Sequence, residues 1–379
     1  MQLLIPAILA GQLIKIPLFL QSGVIVLDIA VALLCIIGIL KLKLKKPPIQ
    51  VSLGILFSLI GGLSLLLTPL NLSLPEFMIS LFYILRFFFY ILLGWVALSG
   101  AVKDFKENAP KIFEYSAIGL AIFGLFQFIF LPDLATLTPE GWDPHFFRTA
   151  STFLDPNFLG AFLVLVLFPL LKNLHQANLK KEAWKPILIY IAILTTFSRS
   201  SYVMLLVTGL TLAIFKKSKQ LAVVSLALFL ILIFFFHIYT TLVAKPRNID
   251  RTQSASFRIS TWRQGFDIFS KSPILGIGFN SYRFAIEKYG LGSESFIQSR
   301  GATYNDSSLL SVLATTGVVG LTVYVVWLIM LIKGGLKSGS SRGMTYSAAL
   351  LGLIATSFFN NTLFYPPILL WIILAQVEY

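Results

Sequence analysis

Charged residues are scarce in this chain. They make up 12% of its 379 residues, about half the share that a soluble protein carries. Hydrophobic residues account for 57%, and the mean hydropathy is +0.85. Apolar runs such as 24–40, 55–70 and 221–239 approach the roughly 20 residues that a helix needs to cross the hydrocarbon layer of a membrane. The composition excludes an ordinary soluble domain and predicts an all-α, polytopic membrane protein.

Cysteine and acidic residues are also few. Cys35 is the only cysteine, so no disulfide can form within the chain, and its place in an apolar run predicts a packing role.

The 16 acidic residues against 30 basic ones give a formal net charge of +14. In a soluble protein that charge would suggest a nucleic-acid partner. Here the positions of the basic residues follow membrane topology instead, and no nucleic acid is expected.

Twelve apolar segments are candidate membrane helices, and together they make residues 1–379 one polytopic domain. The first has neither the basic start nor the cleavage site of a signal peptide, so it too is predicted to be a membrane helix. Alternate connections carry 4, 3, 4, 3 and 3 basic residues, which places both termini in the cytoplasm by the positive-inside rule. The segments lie near residues 3–21, 23–40, 50–69, 77–99, 112–131, 157–172, 184–198, 201–215, 220–241, 307–332, 345–359 and 362–377.

The opposite, outer side carries a different kind of basic residue. The cytoplasmic connections hold lysine with one exception, whereas most basic residues on the outer side are arginine. Lysine suffices for topology, but the planar guanidinium group suits bidentate contact with phosphate or carboxylate. The outer side is therefore predicted to hold an anion. Its arginines are Arg148, Arg199, Arg247, Arg251, Arg258, Arg263, Arg283 and Arg300.

One large outer loop, residues 243–305, contains most of these arginines. Within it Ile259, Trp262, Phe266 and Phe269 recur at helical spacing, which predicts an amphipathic helix that lies on the membrane surface or docks on the helix bundle through this stripe. The glycine-containing PILGIGF follows. It could bind phosphate at a helix start, but a plain turn is the favoured interpretation.

Three further outer segments carry polar side chains at the mouths of predicted helices. FRTASTFLDPNFLG contains Arg148, Asp155 and Asn157, and TTFSRSSY contains Arg199. ATYNDSSLL contains Tyr304, Asn305 and Asp306. Each has a structural explanation by itself, such as a helix cap. The functional interpretation rests on their convergence on one side of the membrane.

Arg86 lies deep inside an apolar segment, ISLFYILRFFFYIL. A charge at that depth costs about 2.5–3.5 kcal/mol, so Arg86 should face the interior of the bundle and have a partner, with Asp28 and Glu114 as the candidates. A structural ion pair and a substrate contact both remain open.

Four pieces of the chain resemble the bacterial O-antigen ligase and O-antigen polymerase family of membrane glycosyltransferases. Their order, their outer placement, the helix count and the late outer loop match. The resemblance implies a GT-C-like helical fold in the bacterial cytoplasmic (inner) membrane, with the active site on the outer face. The pieces are RTASTFLDPNFLGAFL, TFSRSSYVMLLV, FRISTWRQGFDIFSKSPILGIGFNSY and YNDSSLLSVLATTGVVGL.

The reaction that the resemblance implies is an inverting, metal-independent glycan transfer without a cofactor. The donor is a glycan on undecaprenyl pyrophosphate, and the acceptor is a sugar hydroxyl, on lipopolysaccharide core for ligases or on a carrier-linked glycan for polymerases. Membrane lipids surround both substrates. The resemblance implies that Arg199 and Arg258 bind the pyrophosphate, with Arg263 as a third ligand and Arg258 also acting in catalysis. Arg148 is a further candidate ligand, and Asn305, Asn157 and Trp262 are candidate substrate contacts.

One departure from the family concerns the catalytic base. Ligases of the family usually carry a His-Asn pair at the head of the tenth helix, where this chain has Tyr304 and Asn305. Tyrosine, with an ordinary pKa near 10, is a poor base at neutral pH, although it can position a hydroxyl. Tyr304 and Asp306 are the expected catalytic residues, and His145 is a further candidate base. Ligase and polymerase activity both stay open.

The main rival class is a transporter, for instance a flippase of lipid-linked oligosaccharides. A transporter is expected to place polar groups near the midplane on broken, repeat-related helices, whereas this chain concentrates arginine in an outer loop. A non-catalytic assembly scaffold is a third interpretation. It would survive if Arg199→Ala and Arg258→Ala left glycan display unchanged.

Overall fold

The computed structural model describes residues 2–18, 22–41, 46–100, 105–140, 142, 145–173, 182–247, 253–293, 296–297 and 299–378. Within these residues the chain forms fourteen α-helices and one two-stranded hairpin. The helices are α1 (Leu4–Ala10), α2 (Val26–Lys41), α3 (Ile49–Leu66), α4 (Leu74–Leu98), α5 (Phe105–Phe130), α6 (Pro156–Asn173), α7 (Trp184–Thr195), α8 (Arg199–Phe215), α9 (Lys219–Tyr239), α10 (Gln253–Lys271), α11 (Tyr282–Lys288), α12 (Ser308–Lys337), α13 (Ser341–Thr356) and α14 (Pro366–Leu374).

Several of these helices suit a membrane. Five helical stretches are long and apolar enough to cross one: Ile49–Leu66, Leu74–Leu98, Glu107–Phe130, Lys219–Arg247 and Gly301–Lys337. The predicted class, an all-α membrane protein, is confirmed at this level. The count of twelve crossings and the GT-C-like arrangement stay predictions. Five shorter apolar helices accompany the long ones: Val26–Leu40, Pro156–Leu171, Trp184–Thr195, Arg199–Phe215 and Pro366–Val377.

The first predicted membrane helix, residues 3–21, is wrong. The helix ends at Ala10, and Gly11 follows with a φ of 52°. The chain then forms β1 (Lys15–Pro17), which pairs antiparallel with β2 (Gly23–Ile25). The amide of Gln12 donates to the carbonyl oxygen of Thr152 over 2.8 Å. The N-terminal segment therefore turns back against the segment that precedes α6 instead of crossing a membrane.

Small residues let the helices around the site approach one another closely. A Cβ added at Gly352 of α13 would lie 2.1 Å from the Oγ1 of Thr208 in α8, and one at Gly160 of α6 would lie 2.3 Å from the Oγ of Ser201 in α8. Close contact between small residues is a main source of helix association where the surrounding lipid is as apolar as the side chains. These contacts bring the starts of α6 and α8 together.

A second group, α3, α4 and α12, packs through aromatic rings. Phe57 of α3 lies 5.3 Å from Phe87 of α4 and 4.9 Å from Tyr324 of α12, measured between ring centroids. Phe364 stacks on Tyr324 at 5.3 Å, and Phe279 lies 5.9 Å from Phe57. Edge-to-face and offset contacts of this kind favour a defined arrangement beyond simple burial. The residues before α11 and before α14 are thereby fixed to the bundle.

Helix α12 is broken at Gly317, where φ is 63° and ψ is −168°. The segment 273–278 lies against the break, and its Ile277 and Gly278 amides donate to the carbonyl oxygens of Ala314 and Thr315, each over 3.1 Å. A Cβ at Gly317 would lie 2.2 Å from the carbonyl oxygen of Ile274, so the two backbones can meet only at glycine. A broken helix is tolerated in a membrane when neighbouring groups satisfy the freed backbone.

Candidate functional site

The start of α8 presents Arg199. The Ser198 side chain caps the helix by accepting from the Ser201 amide at 3.3 Å, and its hydroxyl donates to the Oδ1 of Asn157 at 2.8 Å. Side-chain acceptors at this position satisfy the unpaired amides of a helix start. Arg199, the first residue of α8, is exposed. Asn157 therefore ties the start of α6 to the start of α8, beneath the arginine.

Arg148 supports the same turn from behind. Its side chain is buried, and its Nε donates to the carbonyl oxygen of Thr196 at 2.8 Å, while Nη2 lies 3.5 Å from the carbonyl oxygen of Phe197. Phe197 has a φ of 46°, an uncommon value for a residue with a Cβ. These contacts commit Arg148 to holding the turn that leads into α8. Its predicted contact with pyrophosphate stays a prediction.

His145 lies beside Arg148. Its Nδ1 is 3.4 Å from the Nη1 of Arg148, and the side chain is buried. A base has to come within hydrogen-bond reach of the proton that it removes. His145 is instead part of the support of the turn, so the geometry favours the other candidate bases.

The helix predicted within residues 243–305 is confirmed as α10, but the predicted apolar stripe is not the face that docks on the bundle. Ile259 and Phe266 of that stripe are 54% and 55% exposed. The residues that face the bundle are Thr261, Gly265 and Ile268, which are all buried. Docking through the stripe is therefore wrong, and contact of the stripe with the membrane surface stays a prediction. The physical reason is close approach, which favours small residues over large ones.

Asn305 holds α10 to the head of α12. It is fully buried, its Nδ2 donates to the Tyr282 hydroxyl at 2.9 Å and to the carbonyl oxygen of Thr261, and its Oδ1 accepts from the Ser307 amide at 2.9 Å. A Cβ at Gly265 would lie 2.8 Å from the Nδ2 of Asn305. Asn305 is therefore a positioning residue in this arrangement, and its predicted contact with substrate stays a prediction.

Asp306, Arg199 and Asp155, from three other segments, lie close enough to Arg258 for their charges to act on it. Arg258 of α10 is half-buried. Burial lowers the pKa of its guanidinium, Asp306 at the head of α12 and Asp155 before α6 oppose this shift, and Arg199 adds to it. Two cations near two carboxylates, partly removed from water, form a site whose charges act strongly on one another. An anion that met both arginines would relieve their mutual repulsion.

Asp306 and Tyr304 lie next to this cluster at the head of α12. The Thr261 hydroxyl donates to the Oδ2 of Asp306 over 3.4 Å. Tyr304 is half-buried. Tyr304 and Asp306, the two predicted catalytic residues, therefore lie beside the cluster that contains Arg199 and Arg258.

Trp262 and Arg263 point elsewhere on α10. The Trp262 ring stacks on Phe359 with centroids 6.0 Å apart. Arg263 is exposed, and five residues of helix place it about 140° round the axis from Arg258. The structure thus brings Arg199 and Arg258 together and leaves Arg263 on another face of the helix. The roles predicted for Trp262 and Arg263 stay predictions.

The other outer arginines are placed in different ways. Arg283 donates to the carbonyl oxygen of Ser299 at 2.6 Å and to the Thr303 hydroxyl at 2.8 Å. Arg247 lies 4.5 Å above the Phe146 ring. Arg251 and the side chain of Arg300 lie outside the described residues. Arginine therefore also serves structure on this side of the protein.

One member of the site, Tyr365, was missed at the sequence level, and Asp155 was noted there without a role of its own. Asp155 stands in the quoted LDPN, where a helix cap explains it equally well, and its Oδ1 does accept from the Asn157 amide at 2.6 Å. Tyr365 follows an unremarkable NNTLF, and only its stacking on Phe158, with centroids 4.5 Å apart, places it. In the described part of the chain no three His, Cys, Asp or Glu side chains are grouped so as to hold a metal ion.

The long apolar helices define the class of this chain as a membrane protein. Residues 187–325 match the model of a family described as O-antigen ligase. This match covers just over a third of the chain, and it confirms the resemblance seen in the motifs. The match runs from α7 into α12 and includes Arg199, Arg258 and residues 304–306. The match supports an enzyme of the glycan-transferring kind in a membrane. Comparison with curated proteins finds no match.

Proposed function

We propose that the protein transfers a glycan from undecaprenyl pyrophosphate to a sugar hydroxyl on the outer face of the bacterial inner membrane, with inversion and without a metal. Both termini lie in the cytoplasm, and residues 243–305 form the outer loop of one polytopic domain. The observation that carries the proposal is that Arg199 and Asp306 lie close enough to Arg258 for their charges to act on it. A diphosphate fits this pair of cations, and a sugar hydroxyl has a carboxylate beside it.

Arg199 and Arg258 hold the diphosphate in this proposal. The bond between the anomeric carbon and the diphosphate oxygen breaks, and the oxygen keeps the electron pair. Negative charge grows on that oxygen as the bond lengthens, and donors already aimed at it stabilise the transition state more than the ground state. Each charge-assisted hydrogen bond contributes about 1.5–3 kcal/mol.

Asp306 serves as the base. The acceptor hydroxyl oxygen attacks the anomeric carbon from the face opposite the diphosphate and loses its proton to the Asp306 carboxylate. Tyr304 positions that hydroxyl, because a phenol can donate or accept a hydrogen bond without changing its charge. Arg148 and Asn305 hold the two elements that carry these groups.

The test is a reconstituted transfer reaction with purified full-length protein, a carrier-linked glycan and candidate acceptors. We expect glycosylated acceptor and free undecaprenyl pyrophosphate in equal amounts. Movement of fluorescent carrier lipid across liposomes without any glycan transfer would establish the flippase alternative and overturn the proposal. Surface glycans of a deletion strain then separate the two acceptors: free carrier-linked polymer indicates a lost ligase, and single repeat units indicate a lost polymerase.

A further inference from the structure

A cavity of about 60 Å³ has Tyr304 in its wall. It lies between α4, α12, the start of α11 and the segment before α14. Its wall combines aromatic rings with amide and cationic groups, among them Tyr282, Phe364, Asn280, Asn361 and Arg86. The proposed reaction leaves this space unassigned.

Arg86 gives the cavity an unused hydrogen-bond donor. The side chain is 10% exposed, and its Nη2 donates to the Oδ2 of Asp28 at 2.6 Å and to the carbonyl oxygen of Gly23 at 2.9 Å. The Nε is buried and has no hydrogen-bond partner among the described residues. The predicted partner Asp28 is thus confirmed, and Glu114 instead pairs with Lys185 at 2.7 Å. An unpaired buried donor is costly unless a ligand satisfies it.

Asn361 gives the same cavity an unused acceptor. Its Oδ1 is buried and accepts no hydrogen bond within the described ranges. A residue with an unpaired donor, on α4, and a residue with an unpaired acceptor, before α14, therefore both line this cavity. A ligand that satisfies both must carry groups that accept and donate, which hydroxyl groups do.

The cavity does not carry the net positive charge of the arginine cluster above it. Asp28 neutralises Arg86, and the Asp28 carboxylate is itself held by the Tyr90 hydroxyl at 3.3 Å and the Ile25 amide at 3.1 Å. A diphosphate or a carboxylate sugar would gain little from a cation that is already paired. Aromatic walls suit the C–H faces of a sugar ring, since they offer apolar area with polar tips. The chemistry favours an uncharged, hydroxyl-rich ring.

We propose that this cavity is a subsite for the neutral terminal sugar of the acceptor glycan. The proposal rests on the proposed function, and it adds the class of acceptor: a neutral sugar, placed with its hydroxyl at Tyr304 below the diphosphate. The Nε of Arg86 donates to one ring hydroxyl, and the Oδ1 of Asn361 accepts from another. The Arg86–Asp28 pair is then both structural and part of the substrate site.

Protection from thiol labelling tests this subsite without requiring turnover. Cys35 is buried and is the only cysteine, so Cys35→Ala gives a background without thiols. Thr303→Cys then places a thiol at the wall of the cavity. We expect neutral methyl hexosides to slow maleimide labelling of this full-length protein in detergent. Glucuronate and inorganic pyrophosphate should leave the rate unchanged.

Matched variants assign the effect to the cavity. Asn361→Leu should remove protection by methyl hexosides, because it keeps the size of the side chain and deletes the acceptor. Asn361→Asp keeps an acceptor oxygen at the same position and should retain protection by methyl hexosides. This variant therefore still tests the acceptor if Asn361→Leu fails to fold. Asn71→Leu, an exposed position between α3 and α4, is the control and should protect as the parent does.

A kinetic measurement separates this proposal from the proposed function. With a methyl hexoside as acceptor, Asn361→Leu should raise the acceptor KM by about fivefold to tenfold, as expected for one lost hydrogen bond, and leave the donor KM unchanged. Protection without any transfer would support the subsite and overturn the enzyme. Transfer without protection by neutral sugars, or protection that survives Asn361→Leu, or protection by pyrophosphate, would overturn the subsite.

Discussion

Arg148 donates a hydrogen bond from its Nε to the carbonyl oxygen of Thr196 over 2.8 Å. Thr196 lies three residues before Arg199, which begins α8. One outer arginine thus fixes the turn that presents another. The two arginines have different roles. The buried Arg148 donates to backbone carbonyl oxygens, and Arg199 is exposed at the start of α8.

Replacing Arg148 should weaken both folding and catalysis. In Arg148→Lys a single ammonium cannot reproduce the contacts to the carbonyls of Thr196 and Phe197, and each buried carbonyl left unpaired costs about 1–3 kcal/mol. We expect a lower Tm in detergent together with a lower kcat. An unchanged Tm with a raised donor KM would instead identify Arg148 as a pyrophosphate ligand.

Arg199→Lys should lower transfer by about a hundredfold, because a point charge cannot replace a bidentate donor aimed at the leaving diphosphate. Since Arg199 is exposed, its Tm should not change. Arg342→Lys, also exposed and expected on the cytoplasmic side, is the matched control. Arg258→Lys should resemble Arg199→Lys, whereas Arg263→Lys should lose much less. Equal losses at Arg258 and Arg263 would contradict the assignment of the diphosphate to one face of α10.

Asp306→Asn and Tyr304→Phe should affect different constants. Loss of the general base should lower kcat by about 10²–10⁴-fold, with the acceptor KM little changed. Loss of the Tyr304 hydroxyl should raise the acceptor KM and change kcat by less than about tenfold. Steady-state kinetics with both substrates varied would distinguish them. A wild-type kcat for Asp306→Asn would remove the carboxylate from the mechanism.

Gly265→Ala should separate α10 from the head of α12. The added Cβ would lie 2.8 Å from the Asn305 Nδ2 and 2.8 Å from Leu310, and overpacking of this kind costs about 1–3 kcal/mol. We expect a lower Tm and, because Arg258 moves with its helix, a raised donor KM. Thermal unfolding and transfer kinetics check this. Gly290→Ala, where a Cβ would meet no atom within 4 Å, although its φ of 63° carries some strain, is a comparison that leaves the packing of α10 intact.

Asp155 should make stability depend on pH. Burial raises the pKa of its carboxyl above the ordinary 3.8, although the Asn157 amide and the Arg148 charge oppose this. The folded state therefore holds the proton more tightly than the unfolded state, and stability falls as pH rises from 3.8 through the raised pKa. Asp155→Asn, which keeps a capping oxygen, should have the higher Tm at neutral pH. The difference should shrink as pH falls, and a difference that grows instead would refute the role of burial.

Helix α10 shows what periodicity could and could not predict. The spacing of Ile259, Trp262 and Phe266 correctly indicated a helix in the outer loop. It did not identify the docked face, because the tight contact with Asn305 requires Gly265 and Thr261, which carry no hydropathy signal. Beside a membrane, large apolar residues can face lipid, so an apolar stripe does not have to mark the protein core.

The partner of the buried charged residue Arg86 was predicted better than the ends of the helices. A buried arginine needs a partner, and that argument correctly gave Asp28 for Arg86. The N-terminal span failed because Lys15 and Pro17 form a strand that pairs with Gly23, a contact that hydropathy cannot register. Tyr365 had no local signal, since its place depends on the ring of Phe158 from a distant helix.

The break in α12 has a mechanical consequence for the outer loop. Lifting the segment 273–278 would remove the amides that now donate to the carbonyl oxygens of Ala314 and Thr315, although Thr315 would keep the Ser64 hydroxyl as a donor. Backbone hydrogen bonds therefore fix residues 273–278 to α12. Any movement of the loop that keeps these bonds has to leave that segment in place.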